Sequence, residues 1–386
     1  MTRKEFLRMC SILGVGFPLM STISSCDDTI ALPQGGKVLI IGAGAAGLAA
    51  GHLLAEQNIE FEILEASSNY GGRMKTNTDF AEFPIPLGAE WLHMGTSIFN
   101  EIVNDINVSV NVPTTPYDPN TDFGLYNGQQ VSVAEIGFDI DRKFIGGTWL
   151  TFFEQYIVPS VLDKITFNEV VQNIDYSADQ VIVQTQTGQK TADKVIVTVP
   201  VKILQEGDVT FTPALPNNKR EAINDVTVWD GFKAFFEFSD TFYPALIGFD
   251  VVPDSAGQKL FYDAAYGQNS NTSVLGIFTV GSAAQTYANL SDEDFKNQVL
   301  AELDGLFNNQ ASAKYIKHTT QNWNAEPFAK GAYIFDHEDW RNMEPLSESV
   351  DSKVYFAGDG YGFSDDWSSV HVAARSAKRA VEELVG

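Results

Sequence analysis

Cysteine, histidine and positive charge are all scarce in this sequence. Its 386 residues include two cysteines, Cys10 and Cys26, and both lie near the N-terminus. The rest of the chain therefore has no disulfide bond, no thiolate metal site, no thiol nucleophile and no sulfur through which a cofactor could be tethered. The five histidines show no spacing that is typical of a metal site, so we expect no metal centre.

Acidic residues outnumber basic residues by 50 to 25, which gives a net charge of −25. This excess argues against nucleic-acid binding and against binding to anionic lipid through the protein surface. Solubility is the simpler interpretation, and an acidic rim that attracts cationic substrates such as amines is the alternative. A hydrophobic content of 44% and the length of the chain indicate a globular protein with room for two intertwined domains.

The N-terminal segment lacks a hydrophobic run long enough to span a membrane and is typical of an export signal. It has a basic start, an apolar run around residues 12–20 and a small-residue end. Residues 2–8 resemble a twin-arginine signal with lysine in place of the second arginine, and residues 23–26 resemble a bacterial lipobox. We therefore expect residues 1–25 to be removed and Cys26 to carry lipid, in a lipoprotein exported to the periplasmic side or surface of a bacterial cell envelope. A plain secretory signal is the alternative.

The stretch from Lys37 to Arg73 predicts a nucleotide-binding unit of strand, glycine turn, helix and strand. Gly42, Gly44 and Gly47 have the G-x-G-x-x-G spacing, which permits the tight turn, the approach of a pyrophosphate and close helix–strand packing, respectively. The N-terminus of the helix favours phosphate. Glu65 ends the second strand, where a carboxylate can accept hydrogen bonds from a ribose.

The residues after Glu65 indicate which dinucleotide binds. An acid at the ribose position is compatible with FAD or NAD and argues against NADP. Gly71, Gly72 and Arg73 follow, and this arrangement resembles FAD-dependent enzymes, in which the diglycine and arginine lie under the pyrophosphate and flavin. We therefore predict FAD, bound non-covalently; the alternative is a βαβ unit that binds nothing.

From residue 165 the apolar period changes to two, which predicts strands and a second sheet. A last short strand and a helix from about Ser369 to Leu384 close the chain. The predicted fold class is α/β: a FAD-binding Rossmann-like (glutathione reductase-type) domain with an inserted α+β substrate domain built on a mixed sheet. We assign residues 36–95, 163–205 and 325–386 to the first domain, and 96–162 and 206–324 to the second.

Several separated stretches resemble the flavin-containing amine oxidases, the family of monoamine and polyamine oxidases. The resemblance covers nearly all of the chain after the signal except about residues 97–160. The stretches that carry it are residues 37–73, 88–93 (GAEWLH), 194–204 (KVIVTVPVKIL), 275–307, 322–333 and 355–380.

The resemblance implies a set of FAD-binding positions. By position, Val171 matches a residue whose backbone pairs with the adenine, Asp359 an acid that holds the ribityl chain, and Val370 a backbone N–H that faces the flavin pyrimidine. For Asp359 the alternative is a turn carboxylate that caps the last helix. The complete set is Gly42, Gly44, Ala46, Gly47, Glu65, Gly72, Arg73, Val171, Asp359 and Val370.

The resemblance also implies catalytic residues and a substrate wall. Lys233 is a lone charge in an apolar strand, and burying an ammonium without a partner is costly. It matches a lysine that reaches through water toward the flavin nitrogen, with a strand residue that extends to solvent as the alternative. Tyr333 matches one side of an aromatic cage that faces the substrate amine. Trp91, Trp323 and Trp367 complete the predicted wall; the alternative for Trp323, and less so for Tyr333, is a place in the core.

The sequence departs from the family pattern at the second cage position, which falls near Ser369, where an aromatic residue is usual. Trp367 is the candidate substitute. Residues 97–160 are also shorter than the corresponding part of most relatives. His93 and His371 lie near the predicted site, and we expect them to support neighbouring residues and not to act in catalysis.

The resemblance implies an enzyme that removes hydride from a carbon beside an amine nitrogen and gives an imine. Dioxygen would accept the electrons and yield hydrogen peroxide, and the partners would be a small-molecule amine and dioxygen. The alternatives are a flavin dehydrogenase or desaturase that acts on another substrate, and a flavoprotein that has lost catalysis.

Overall fold

The computed structural model describes residues 32–136, 141–249, 256–335, 344–362 and 368–386. The predicted signal, the predicted lipidation site Cys26 and the predicted wall residue Trp367 lie outside the described residues. In the described ranges, no helix has the length and apolar character needed to cross a membrane.

The strands are numbered in chain order. They are β1 Lys37–Ile41, β2 Glu60–Leu64, β3 Thr76–Asn77, β4 Ile85–Pro86, β5 Thr114–Pro116, β6 Asp122–Tyr126, β7 Val131–Glu135, β8 Arg142–Phe144, β9 Ile165–Thr166, β10 Val171–Asp175, β11 Val181–Thr185, β12 Gln189–Ala192, β13 Lys194–Val197, β14 Thr210–Thr212, β15 Gly231–Phe238, β16 Leu246–Phe249, β17 Gly257–Asp263, β18 Ser273–Gly281, β19 Tyr315–Asn322 and β20 Val354–Phe356.

The α-helices are numbered in the same way. They are α1 Ala45–Glu56, α2 Ser97–Val103, α3 Trp149–Tyr156, α4 Val201–Gln205, α5 Asn217–Asp225, α6 Ser282–Ala288, α7 Asp292–Leu306, α8 Gln310–Lys314, α9 Glu344–Ser347 and α10 Val370–Val385.

A five-stranded parallel sheet in the order β20-β13-β1-β2-β9 brings the two ends of the chain together. The strand β1 is apolar on both faces because both faces are covered. Val38 and Ile40 pack into an apolar cluster with α1 and α10. Leu39 and Ile41 pack into a second cluster on the opposite face, with β13 and β20.

A four-stranded sheet in the order β12-β11-β10-β14 is formed by strands that lie between β9 and β20 of the parallel sheet in the chain. Its strands β11 and β12 pair antiparallel and form a hairpin. The strand β14 pairs parallel with β10. Because β14 follows residue 205, this sheet extends beyond the point where our predicted segment of the FAD-binding domain ends.

The largest sheet has seven strands in the order β19-β15-β18-β17-β16-β6-β7. It is mixed, since β15 pairs antiparallel with β18 and β16 pairs parallel with β6. On β15, Phe232 and Phe236 face a cluster that includes helix α7. Because successive side chains of a strand alternate between its faces, Lys233 and Phe235 point to the other face, where Phe235 packs with Trp91 and Tyr262.

Candidate active site

One cavity of about 1160 Å³ runs from the glycine turn after β1 to the face of the seven-stranded sheet that carries Lys233. It is lined at one end by the β1–α1 turn and β10, and at the other by β15 to β18 and the segment after β19. The parallel sheet and the seven-stranded sheet both contribute to its lining. A cavity of this size and position suits a dinucleotide with a substrate in front of it.

The glycine turn is shaped as the sequence predicts. Gly42 has φ of +105°, a conformation that L side chains rarely adopt. A Cβ on Gly47 would lie 1.9 Å from the carbonyl oxygen of Gly42, so the helix can approach the turn only with glycine there. A Cβ on Gly44 would meet nothing within 4 Å. Gly44 thus borders open cavity, as a pyrophosphate site requires.

Glu65 lies at the end of β2 with its carboxylate beside the turn. Its Oε2 accepts a hydrogen bond from the backbone N–H of Ala43 at 2.6 Å, and its Oε1 accepts from the N–H and the hydroxyl of Ser67 at 2.8 and 2.7 Å. These donors fix the carboxylate at the cavity wall, where it can also accept from a ribose hydroxyl.

Arg73 and Asp359 connect the N-terminal and C-terminal parts of the chain at the cavity. The guanidinium donates to both carboxylate oxygens of Asp359, at 2.5 and 3.1 Å, and to the carbonyl oxygen of Ala332. The N-cap residue of α10 is Ser369, and Asp359 accepts from Arg73 through its side chain. The alternative in which the Asp359 carboxylate serves as the helix cap is therefore not seen.

The described residues that were predicted from the sequence lie around this one cavity, with one exception. Those that line it are Gly42, Gly44, Ala46, Glu65, Gly72, Arg73, Val171, Asp359, Val370, Lys233, Tyr333, Trp91 and Trp323. Gly47 is the exception, since it packs against Gly42 behind the wall. The open space at Gly44, the carboxylate at Glu65 and the N-terminus of α10 at Val370 all fit a bound FAD.

Lys233 is buried, with 3% of its surface exposed, so the alternative of a side chain that reaches solvent is excluded. Its ammonium donates to the carboxylate of Glu90 at 2.7 Å and to the carbonyl oxygens of Pro86 and Gly88 at 2.9 and 3.1 Å. Burial lowers the pKa of Lys233, and the negative charge of Glu90 opposes that shift.

Trp323 and Tyr333 form the aromatic side of the cavity. The indole of Trp323 donates to the carbonyl oxygen of Leu87 at 3.0 Å, which fixes the ring. The hydroxyl of Tyr333 is buried and has no hydrogen-bond partner among the described residues. Burial raises the pKa of Tyr333 well above its usual value, so the hydroxyl stays neutral and can both donate and accept.

Sequence reasoning placed His93 beside the cavity but missed Asp141, Glu90 and Lys143, which also lie around it. His93 and Asp141 both line it, and the Nδ1 of His93 lies 3.1 Å from the Oδ2 of Asp141. Lys143 on β8 lies 3.2 Å from the second oxygen of Glu90. Lys143 directly follows Asp141 and Arg142, so it is not a lone charge in an apolar run and no sequence signal singled it out. No signal indicated its partner.

The model of the flavin containing amine oxidoreductases matches residues 153–385, which is more than half of the chain. The chain belongs to this family. The model of the NAD(P)-binding Rossmann-like domain matches residues 40–105, which include the glycine turn, Glu65 and Arg73. The predicted family, fold class and enzyme class and the predicted FAD cofactor are therefore confirmed.

This amine oxidoreductase is similar to curated proteins of two kinds. It is 25% identical to lysine-specific histone demethylase 1B of Mus musculus, over 84% of this chain and 50% of the demethylase. It is 22% identical to polyamine oxidase 2 of Arabidopsis thaliana, over 90% and 87% of the two chains. The chain thus spans about half the length of the Mus musculus and Homo sapiens demethylases that it matches.

Solved structures show the same fold. Cyclohexylamine oxidase from Brevibacterium oxydans IH-35A superposes with a TM-score of 0.75 at 15% identity, covering 91% of this chain and 99% of that one. Putrescine oxidase bound to putrescine superposes with a TM-score of 0.74 at 14% identity, covering the same shares of the two chains.

Proposed function

We propose that this protein is an oxidase that converts the C–N bond of an amine to an imine, with dioxygen as acceptor and hydrogen peroxide as product. The observation that carries the proposal is that one cavity connects the dinucleotide turn at Gly42 with the aromatic wall at Trp323 and Tyr333. The names of the polyamine, putrescine and cyclohexylamine oxidases among its relatives support an amine as the substrate.

In the proposed reaction, the amine loses a hydride from the carbon beside nitrogen and a proton from the nitrogen, so that a C=N bond forms. FAD, when bound, supplies the ring that accepts the hydride. Dioxygen takes up the two electrons and two protons, and water then hydrolyses the imine to a carbonyl compound.

The protein contributes orientation and the exclusion of water. Trp91 and Trp323 are buried at the wall, and Trp323 packs so closely on Gly88 that a Cβ there would lie 2.8 Å from its ring. The Tyr333 hydroxyl, which has no partner within the described ranges, can hydrogen-bond to the nitrogen of a neutral amine. This arrangement positions the substrate without requiring a general base.

The test is flavin bleaching in the full-length, FAD-loaded protein. Under anaerobic conditions, a panel of monoamines, diamines, polyamines and amino acids is added while the visible absorbance of the flavin is followed. We expect at least one amine to bleach it, and admission of air to restore the colour with formation of peroxide. The substitution Tyr333→Phe should lower kcat/KM by about tenfold, the value of one hydrogen bond. Tyr243→Phe, at a buried tyrosine that does not line the cavity, is the matched control.

Two outcomes would contradict the proposal. Reoxidation by air at the rate of free flavin would indicate a dehydrogenase or desaturase with another acceptor. A flavin that no compound of the panel bleaches would indicate that catalysis has been lost.

We also propose that the protein is an exported lipoprotein anchored through Cys26, because residues 1–26 have the pattern of a signal that ends in a lipobox. Cells labelled with a radioactive fatty acid should incorporate label into the wild-type chain. The substitution Cys26→Ser should abolish the labelling, and Cys10→Ser should not. Equal labelling of all three chains would contradict the assignment.

A further inference from the structure

A buried cluster of charges lies at the inner end of the cavity and joins four elements of the fold. Glu90 lies at its centre, with 5% of its surface exposed. One oxygen of Glu90 accepts from Lys233 at 2.7 Å and from the hydroxyl of Tyr262 at 2.5 Å. The other oxygen lies 3.2 Å from the ammonium of Lys143.

The cluster extends from the protein interior to the cavity wall. Glu90 and Lys233 line the cavity, whereas Lys143 and Tyr262 lie behind them. Lys143 is held by the carbonyl oxygens of Asp263 and Ala264 at 3.2 and 2.9 Å. Lys143 and Tyr262 therefore hold the Glu90 carboxylate on its interior side, and the carboxylate also accepts a hydrogen bond from Lys233 at the cavity.

Stability alone does not explain such a cluster. Buried ion pairs contribute little compared with apolar residues of the same volume, because desolvation offsets their attraction. Burial by itself would raise the pKa of Glu90, but Lys233 and Lys143 outweigh it and the pKa is lowered. The carboxylate is thus ionised at neutral pH and available to hold a charge beside it.

The ammonium of Lys233 has three N–H donors, and it donates hydrogen bonds to three acceptors. Glu90 supplies the charged one, and the carbonyl groups of Pro86 and Gly88 supply the others. Two carbonyl groups can orient the buried ammonium, but they do not balance its positive charge. Whether Lys233 keeps its positive charge therefore depends on Glu90.

We propose that Glu90, braced by Lys143 and Tyr262, is a positioning residue that fixes the Lys233 ammonium at the cavity wall and keeps it charged, so that the wall favours negative charge on a reduced flavin. This inference rests on the proposed function and on the match of Lys233 to a lysine that reaches toward the flavin in amine oxidases. Charged groups in such an enclosed site act strongly on charge that develops nearby.

The test is the midpoint potential of the bound flavin in the FAD-loaded, full-length protein, measured by equilibration with reference dyes. Lys233→Met should shift the oxidised–reduced equilibrium at least tenfold toward oxidised flavin, which is about 30 mV for a two-electron couple. Glu90→Gln should give a smaller shift of the same sign, because Lys233 then loses its carboxylate partner and its charge, while the negative charge of Glu90 is removed as well. The double variant E90Q/K233M should shift no further than either single variant.

A matched control removes a buried lysine elsewhere. Lys219 is buried at Pro345 and Leu346 and does not line the cavity, so Lys219→Met should leave the potential unchanged. If Glu90→Gln does not fold, E90Q/K143M removes one charge of each sign and should still shift the potential by tenfold or more.

The proposal would be overturned if the folded Glu90 variants had the midpoint potential of the wild-type protein. It would also be overturned if the potential shifts of the two single variants added up in E90Q/K233M. An unchanged potential in Lys233→Met would overturn it as well. Anaerobic bleaching of the wild-type protein by amines tests the proposed function independently, so the two failures can be told apart.

Discussion

The glycine turn offers two substitutions that should separate cofactor binding from folding. In Gly44→Ala, the new methyl group meets nothing within 4 Å, and φ of −78° with ψ of −170° suits alanine. In Gly47→Ala, the methyl group would lie 1.9 Å from the carbonyl oxygen of Gly42, which is backbone and has no rotamer to change. The first substitution intrudes into the cavity, and the second distorts the turn.

The magnitudes follow from the two environments. For Gly44→Ala, restricting the unfolded chain gains about 0.4–1 kcal/mol. The loss of glycine at the N-cap of α1 costs a similar amount, so the free energy of unfolding should stay within about 1 kcal/mol. An intruding methyl group costs about 1–3 kcal/mol, which weakens FAD binding by about 5-fold to 150-fold. Gly47→Ala should lower the free energy of unfolding of the cofactor-free protein by the same amount, about 1–3 kcal/mol.

The assay uses protein from which FAD has been removed. Chemical denaturation gives the free energy of unfolding, and quenching of FAD fluorescence on titration gives the dissociation constant. Wild-type affinity in Gly44→Ala would refute the placement of the pyrophosphate at this turn. Equal destabilisation of the two variants would refute the packing argument.

Three further predictions concern other parts of the chain. Asp359→Ala removes the carboxylate that Arg73 contacts at 2.5 Å, and should weaken FAD binding by about tenfold or more in the same titration, whereas Asp240→Ala at an exposed ion pair should not. Burial lowers the pKa of Lys219 to about 7 from 10.5. The unfolded chain therefore binds more protons between these values, and the wild-type free energy of unfolding should rise with pH relative to Lys219→Met, by up to about 1.4 kcal/mol per pH unit. Parallel profiles from pH 7 to 9 would contradict this. Ser291→Ala removes the acceptor for the N–H of Asp294 at the start of α7, and should cost about 0.5–2 kcal/mol in chemical denaturation; an unchanged midpoint would show that water replaces the cap.

The sequence by itself determined the nucleotide-binding unit. The strand, the glycine spacing, the helix and Glu65 are contiguous, and each has a local physical cause that needs no knowledge of the rest of the chain. The same is true of β15, because the alternation of side chains between the two faces of a strand is a property of neighbouring residues. Lys233 could be recognised as an anomaly for this reason.

Only the tertiary structure decided which charges meet. Arg73 and Asp359 are 286 positions apart, and Lys233 and Glu90 are 143 apart. A buried ammonium must have a partner, but periodicity gives only the face on which it lies, and the choice among distant carboxylates depends on how the sheets pack. The sequence showed that Lys233 needed a reason to be buried, and the fold supplied Glu90, with Lys143 behind it.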